Sequence, residues 1–195
     1  MEKSTAIFLD RDGTINEEVG YLDRADKLRM IPAVFEAVRL INESGMKAVV
    51  VSNQAGIAKG YFSENFVRKI NGLIQSALLE KGARIDRFYF CPHHPTEGTD
   101  PYRKICDCRK PEPGLLHQAA ADLDIDLARS YMIGDRLRDV ETAHRAGAKG
   151  VLVMTGYGQD ALKDAGQDPA NELNQPDYTA HDILEAVHWI LKDRT

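Results

Sequence analysis

The chain has 195 residues and a formal net charge of -5, enough length for one domain (1–195) with a sizeable core. Its acidic balance argues against a broad nucleic-acid or acidic-membrane surface, and no apolar run approaches the about 20 residues a membrane span needs. Residues 1–5 lack the basic start and long apolar middle of a signal peptide, and all three cysteines fall within residues 91–108. A cytoplasmic protein in a reducing compartment is expected.

The apolar run 5–9 reads as a buried strand. Pro32 opens a helical pattern to about residue 44, with Val34, Phe35, Val38, Leu40 and Ile41 apolar and Gly45 as its stop. Residues 47–51 read as a second strand. A helix follows from Ser63, with Phe66, Ile70, Leu73, Ile74, Ala77 and Leu78 on its apolar face and Gly82 beyond its end. Residues 87–90 are a third strand. Residues 91–112 hold Pro, Gly, Cys, His and charge without periodicity, which predicts a long loop, and long loops in compact domains usually carry function. The rest reads as a helix over 113–123, a strand over 131–133, a helix over 137–146 and a strand over 150–154. Residues 156–176 read as loop with a weak helix, and 181–192 as a closing amphipathic helix.

Strands alternating with helices predict an α/β/α sandwich of Rossmann type around a central parallel sheet. Such sheets bind ligands beyond the carboxyl ends of their strands. Four polar clusters follow predicted strands and would meet at that edge. In Asp10-Arg11-Asp12-Gly13-Thr14, one carboxylate can attack phosphorus and the other can exchange a proton with the leaving oxygen; an Asp-Gly pair is also an ordinary turn. Ser52-Asn53-Gln54 offers a hydroxyl and an amide to a phosphoryl oxygen, or is a polar loop. Arg109 and Lys110 can bind phosphate, or stand in solvent as two plain cations. Asp135 and Asp139 follow Gly134 and suit a hard cation with oxygen ligands, or cap a helix.

Cys91, His93, Cys106 and Cys108 form a Cys₃His set suited to a closed tetrahedral structural zinc site. The alternative is free thiols beside a surface histidine. His94 is the fallback ligand, and His117 reads as a surface residue.

In their order along the chain, Asp10 and Asp12, Ser52, Lys110, and Asp135 with Asp139 resemble the motifs of the haloacid dehalogenase (HAD) superfamily of phosphatases. The resemblance covers about residues 5–155 and implies the HAD fold, magnesium, and an aspartyl-phosphate intermediate. Asp10 would then be the nucleophile and Asp12 the general acid/base. Ser52, Asn53 and Lys110 would hold phosphoryl oxygens. Magnesium would sit on Asp10, Asp12 (by its carbonyl) and Asp135, with Asp139 behind them.

The stretches 8–16, 52–58, 91–95 and 106–111 further resemble the branch of that superfamily acting on heptose bisphosphates. This implies a small-molecule sugar bisphosphate substrate, a minimal cap and a zinc-stapled loop at about 91–112. One phosphate would be removed and the other kept for nucleotide transfer. Glu18, Gly20, Tyr21, Gln54 and Arg109 would join Ser52, Asn53 and Lys110 in binding substrate. Gly20 and Tyr21 match the branch, whereas Glu18 and Val19 depart from its Asp-His. Histidinol-phosphate phosphatases share these motifs, but their loop after the first motif carries prolines, and residues 17–21 have none. A zinc-stapled binding module with a dead site would have lost one of Asp10, Asp12, Lys110 or Asp135, and all are present. A nucleic-acid 3′-phosphatase fits the acidic charge poorly. A monomer is expected.

Overall fold

The computed structural model describes residues 3–167 and 172–194. Its frame is a parallel six-stranded sheet: β1 (Ala6–Leu9), β2 (Lys47–Asn53), β3 (Arg87–Cys91), β4 (Tyr131–Gly134), β5 (Lys149–Val153) and β6 (Tyr178–Ala180), in spatial order β3-β2-β1-β4-β5-β6. The helices are α1 (Ala33–Glu43), α2 (Glu64–Leu79), α3 (Gly114–Leu123), α4 (Leu137–Arg145), α5 (Gly158–Gln167) and α6 (Ile183–Asp193).

Strand residues alternate between two cores because successive side chains leave a pleated strand on opposite faces. Ile7, Leu9, Val50 and Ile133 pack with residues of α1, α2 and α6. Ala6, Phe8, Val49, Val51 and Met132 pack with Leu115, Leu116 and Ala119 of α3 and Ala143 of α4. This is the expected three-layer arrangement.

Several local expectations shift. β2 runs through Ser52 and Asn53, which pair with Phe90 and Cys91 of β3; the ladder carries two polar residues that the sequence places in a loop. Leu73 is exposed on α2, so the apolar face is narrower than its pattern suggests. The polar stretch after β5 contains α5, and just beyond that stretch β6, a sixth strand, pairs through Val151–Val153. Three residues give too little periodicity to mark β6 as a strand. Part of the 156–176 reading, residues 168–171, lies outside the described residues.

The sheet places Asp10, Ser52, Cys91 and Asp135 at or just past the carboxyl ends of β1 to β4. The 91–112 loop leaves β3 at this edge and returns to α3.

Candidate active site

Asp10 follows β1, and its backbone N–H donates to the Ile133 carbonyl. Its carboxylate meets Lys110, whose Nζ lies 2.8 Å from Asp10 Oδ1, 2.7 Å from Asp139 Oδ1 and 3.0 Å from the Val51 carbonyl. Lys110 is buried, and its position is fixed through Asn53. The Asn53 side chain donates to the Lys110 carbonyl and accepts from the Lys110 N–H, both at 3.0 Å. The Asn53 side chain thus braces the lysine loop, a role its sequence position alone does not reveal.

Asp10, Asp135 and Asp139 bring carboxylate oxygens within 4.8 Å of one another. Burial and the charge of Asp139 push the Asp10 carboxyl up to about 6 against the pull of Lys110. Burial, Asp10 and Asp139 push Asp135 up to about 7. One ammonium does not neutralise three clustered carboxylates. Asp135 Oδ2 accepts from the Tyr157 N–H at 2.9 Å, while its buried Oδ1 has no protein partner. A buried carboxylate oxygen without a donor is costly, and a hard divalent cation would satisfy it. The donor set therefore fits such an ion. Asp139 is already committed, by Oδ1 to Lys110 and by Oδ2 to the Arg136 N–H at the start of α4.

Gly13 and Gly156 close on Asp135. A Cβ at either position would overlap Asp135 Oδ2, and both have positive φ, +86° and +55°. The turn after β1 and the loop after β5 can approach this carboxylate because neither carries a side chain there.

Asp12 is turned to a different network. Its carboxylate accepts from Arg11 at 2.7 and 2.9 Å, from Asn16 at 3.0 Å and from Gln54 at 2.9 Å. Burial pushes its pKa up, but the Arg11 charge and these donors outweigh that and hold it below the ordinary carboxylate range. Arg11 is only 2% exposed, and a buried guanidinium in this bidentate contact orients its carboxylate strongly. Ser52 is buried, with its hydroxyl 3.4 Å from Gln54 Nε2.

The cleft above Asp10 is lined by Asp12, Asn53, Gln54 and Lys110 on its floor and by Glu18, Gly20, Tyr21 and Arg109 among its walls. Ser52 is absent from that lining. Glu18 bends back to accept from the Gly20 N–H at 2.6 Å. Arg136 and Arg138 also line the cleft. The sequence hid them as two charges at a helix start; their signal was the arginine repeat inside the Gly-Asp-Arg-Leu-Arg-Asp motif. Arg136 stacks 3.6 Å over the Tyr157 ring.

The cysteine loop closes beside this cleft. Cys91, Cys106 and Cys108 place their sulfurs 3.1 to 3.6 Å apart, and His93 Nδ1 lies 3.6 Å from Cys91 Sγ and 3.3 Å from Cys108 Sγ. These are close to the edges of a tetrahedron whose corners lie about 2.3 Å from its centre, the zinc–thiolate length. Without a cation, hydrogen bonding and burial raise the Cys91 thiol and burial raises Cys106, while hydrogen bonds from its neighbours pull Cys108 down to about 5. A metal that stabilises all three thiolates together fits the set. His94 turns away to Glu97, and His117 is exposed.

A HAD-hydrolase-like family model matches residues 107–186. The D-glycero-D-manno-heptose-1,7-bisphosphate 7-phosphatase of Thermosynechococcus vestitus is 42% identical over 95% of this chain and 94% of its own length. The chain belongs to the heptose-1,7-bisphosphate 7-phosphatase family. Another member of this phosphatase family, from Escherichia coli K12, is 45% identical over 80% of this chain and 83% of its own. The D,D-heptose 1,7-bisphosphate phosphatase of B. bronchiseptica, solved with magnesium and phosphate, matches at TM-score 0.83 and 30% identity, over 97% of this chain and 99% of that one.

Proposed function

We propose that this enzyme is a heptose bisphosphate phosphatase that removes the 7-phosphate of D-glycero-D-manno-heptose 1,7-bisphosphate by way of an aspartyl-phosphate on Asp10. The observation that carries the reading is the Asp10–Lys110–Asp139 ion cluster beside the open oxygen of Asp135. It sets a nucleophile, a fixed cation and an unpartnered carboxylate oxygen side by side. The substrate names of the relatives favour heptose bisphosphate over histidinol phosphate.

Asp10 attacks phosphorus from the floor of the cleft, and the phosphoryl group passes to its carboxylate. Lys110 steadies the negative oxygens of the transferring group. Asp12, ionised among its hydrogen-bond donors in the free site, takes up a proton as substrate binds, gives it to the leaving sugar oxygen and later takes one from the water that attacks the phosphoenzyme. Gln54 and Arg11 hold Asp12 in place for both transfers. Asp10, Asp135 and the Asp12 carbonyl would hold magnesium, which would supply charge compensation for the approach of an anionic nucleophile to an anionic ester. Asp139 acts behind them by holding Lys110. Cys91, His93, Cys106 and Cys108 would hold zinc, which would supply structural closure of the loop. Glu18, Gly20 and Tyr21 shape the wall that meets the sugar, and Arg109 meets the phosphate that stays.

The test is phosphate release from both anomers of heptose 1,7-bisphosphate and from histidinol phosphate, in wild type and Asp10→Asn. Release from the bisphosphate that vanishes in the variant, with the fold retained, is the expected result. Substantial turnover by Asp10→Asn would overturn the mechanism, and preference for histidinol phosphate would overturn the substrate.

A further inference from the structure

Tyr21 lines the cleft from an exposed loop and is itself 39% exposed. Its neighbour Gly20 has φ +78°. The support comes from the segment after β2. The Tyr61 ring meets Tyr21 edge-on, with centroids 4.8 Å apart. Lys59 Nζ lies 5.6 Å from the centre of the Tyr21 ring, within reach of a cation–π contact.

Lys59 also faces the cysteine loop. Its Nζ pairs with Glu97 Oε2 at 3.0 Å, and Glu97 Oε1 lies 3.4 Å from His94 Nε2. The backbones meet at the same place. The Thr99 N–H donates to the Ala58 carbonyl at 3.3 Å, and Gly98, at φ +93°, comes so close to that carbonyl that a Cβ would overlap it. Tyr102 adds a hydrogen bond to Glu64 at the start of α2. The Lys59 side chain is only 18% exposed, so its stem is packed and its charge is held between an aromatic face and a carboxylate.

We propose that Lys59 is a positioning residue for substrate specificity. It ties the Tyr21 loop to the cysteine loop, so that the aromatic wall of the cleft keeps one position. The proposal rests on the heptose bisphosphate reading of the cleft. Lys59 acts through Tyr21: it is not among the residues that line the cleft, and its charge is matched by Glu97. Fixing a mobile wall before substrate arrives lowers the ordering cost of binding, so loss of the tie raises KM and spares the chemical step.

The experiment compares Lys59→Met, which keeps the stem and removes the charge, with Lys59→Arg, Tyr21→Ala and the Lys59→Met/Tyr21→Ala pair. Substrates are heptose 1,7-bisphosphate and p-nitrophenyl phosphate. Lys59→Met is expected to raise KM for the bisphosphate about tenfold while kcat changes less than about twofold. Its KM for p-nitrophenyl phosphate, which has no sugar to meet the wall, should move far less. Lys59→Arg should restore most of the loss. In the pair, KM should match Tyr21→Ala alone, because Lys59 has no effect once the ring is gone. Additive effects, or equal KM rises on both substrates, would overturn the positioning role while leaving the heptose bisphosphatase reading intact. A wild-type enzyme that does not hydrolyse the bisphosphate would defeat that reading and the role of Lys59 with it.

Discussion

Arg109 Nη1 donates to the His93 carbonyl at 3.1 Å. The guanidinium offered to substrate is thus held by the backbone of a predicted zinc ligand. Cys108 precedes Arg109, and Lys110 follows it. Two cations of the cleft therefore depend on the order of the cysteine loop, and that loop has little apolar core of its own to offset the entropy of ordering it.

Removing zinc should loosen this segment. Metal analysis of purified protein should find about one zinc per chain, as a closed four-ligand set requires. Chelation followed by restoration of magnesium should lower the melting temperature and raise KM, and activity should still depend on magnesium. A zinc-free preparation with full activity and an unchanged melting temperature would sink the structural role.

Arg109→Ala should raise KM for the bisphosphate far more than for a monophosphate ester. Burial and the nearby Arg138 charge lower the Arg109 pKa, so Arg109 sits in a cationic field that favours a second anion. Because Arg136 and Arg138 share that wall, the loss is expected to be about tenfold, a typical single charge-assisted contact. Equal KM effects on both substrates would show that Arg109 does not read the distal phosphate.

The gathering of Asp10, Lys110 and Asp135 was legible because parallel sheets send strand ends to one edge, and each residue follows or approaches a strand. The Cys₃His set was legible because its ligand types are rare and crowded together. The role of the Asn53 side chain was not, since a reciprocal bond to Lys110 across 57 residues leaves no local pattern. The orientation of Asp12 was hidden for a related reason. Spacing places two carboxylates near each other but does not say that Arg11, its immediate neighbour, folds inward to claim one. Lys59 and Tyr61 look like an ordinary polar turn until Tyr21 is brought against them.

Arg11→Lys should test the bracing of Asp12. Lysine keeps the charge and loses the planar fork, so the carboxylate loses its fixed direction. A drop of about 10- to 100-fold in kcat is expected, the range seen when groups supporting an active centre are altered. Single-turnover phosphoenzyme formation from an activated ester needs no proton for its leaving group, so it should fall less. Equal losses on sugar phosphate and activated ester in that assay would argue against an Asp12-specific effect.

Gly13→Ala should damage the magnesium site while leaving every carboxylate in the chain. The new Cβ would overlap Asp135 Oδ2, and the positive φ adds strain for any side chain. Asp135 must then move, and the magnesium concentration for half-maximal activity should rise. Unchanged magnesium dependence would show that the close approach of this turn does not position Asp135.

Asp10 and Asp135 have carboxyls raised to about 6 and about 7, against an ordinary value near 4. Between those limits the folded, magnesium-free site holds protons that the unfolded chain has released. Stability from these two groups therefore falls as pH rises from about 4 to about 7, because the folded state must give up protons it binds more tightly. Magnesium reverses the balance: it replaces those protons, and its affinity rises as they leave. Melting temperatures should be measured at pH 5 and pH 8, with and without magnesium, in buffers free of chelator so that the cysteine loop keeps its metal. The rise produced by magnesium should be larger at pH 8, since binding to the folded state stabilises in proportion to the logarithm of occupancy. Asp135→Asn removes one of the two titrating groups and one ligand, so it should flatten this difference and raise the melting temperature of the magnesium-free protein at pH 8. A magnesium shift equal at both pH values in wild type would mean that these carboxylates are not what the ion neutralises.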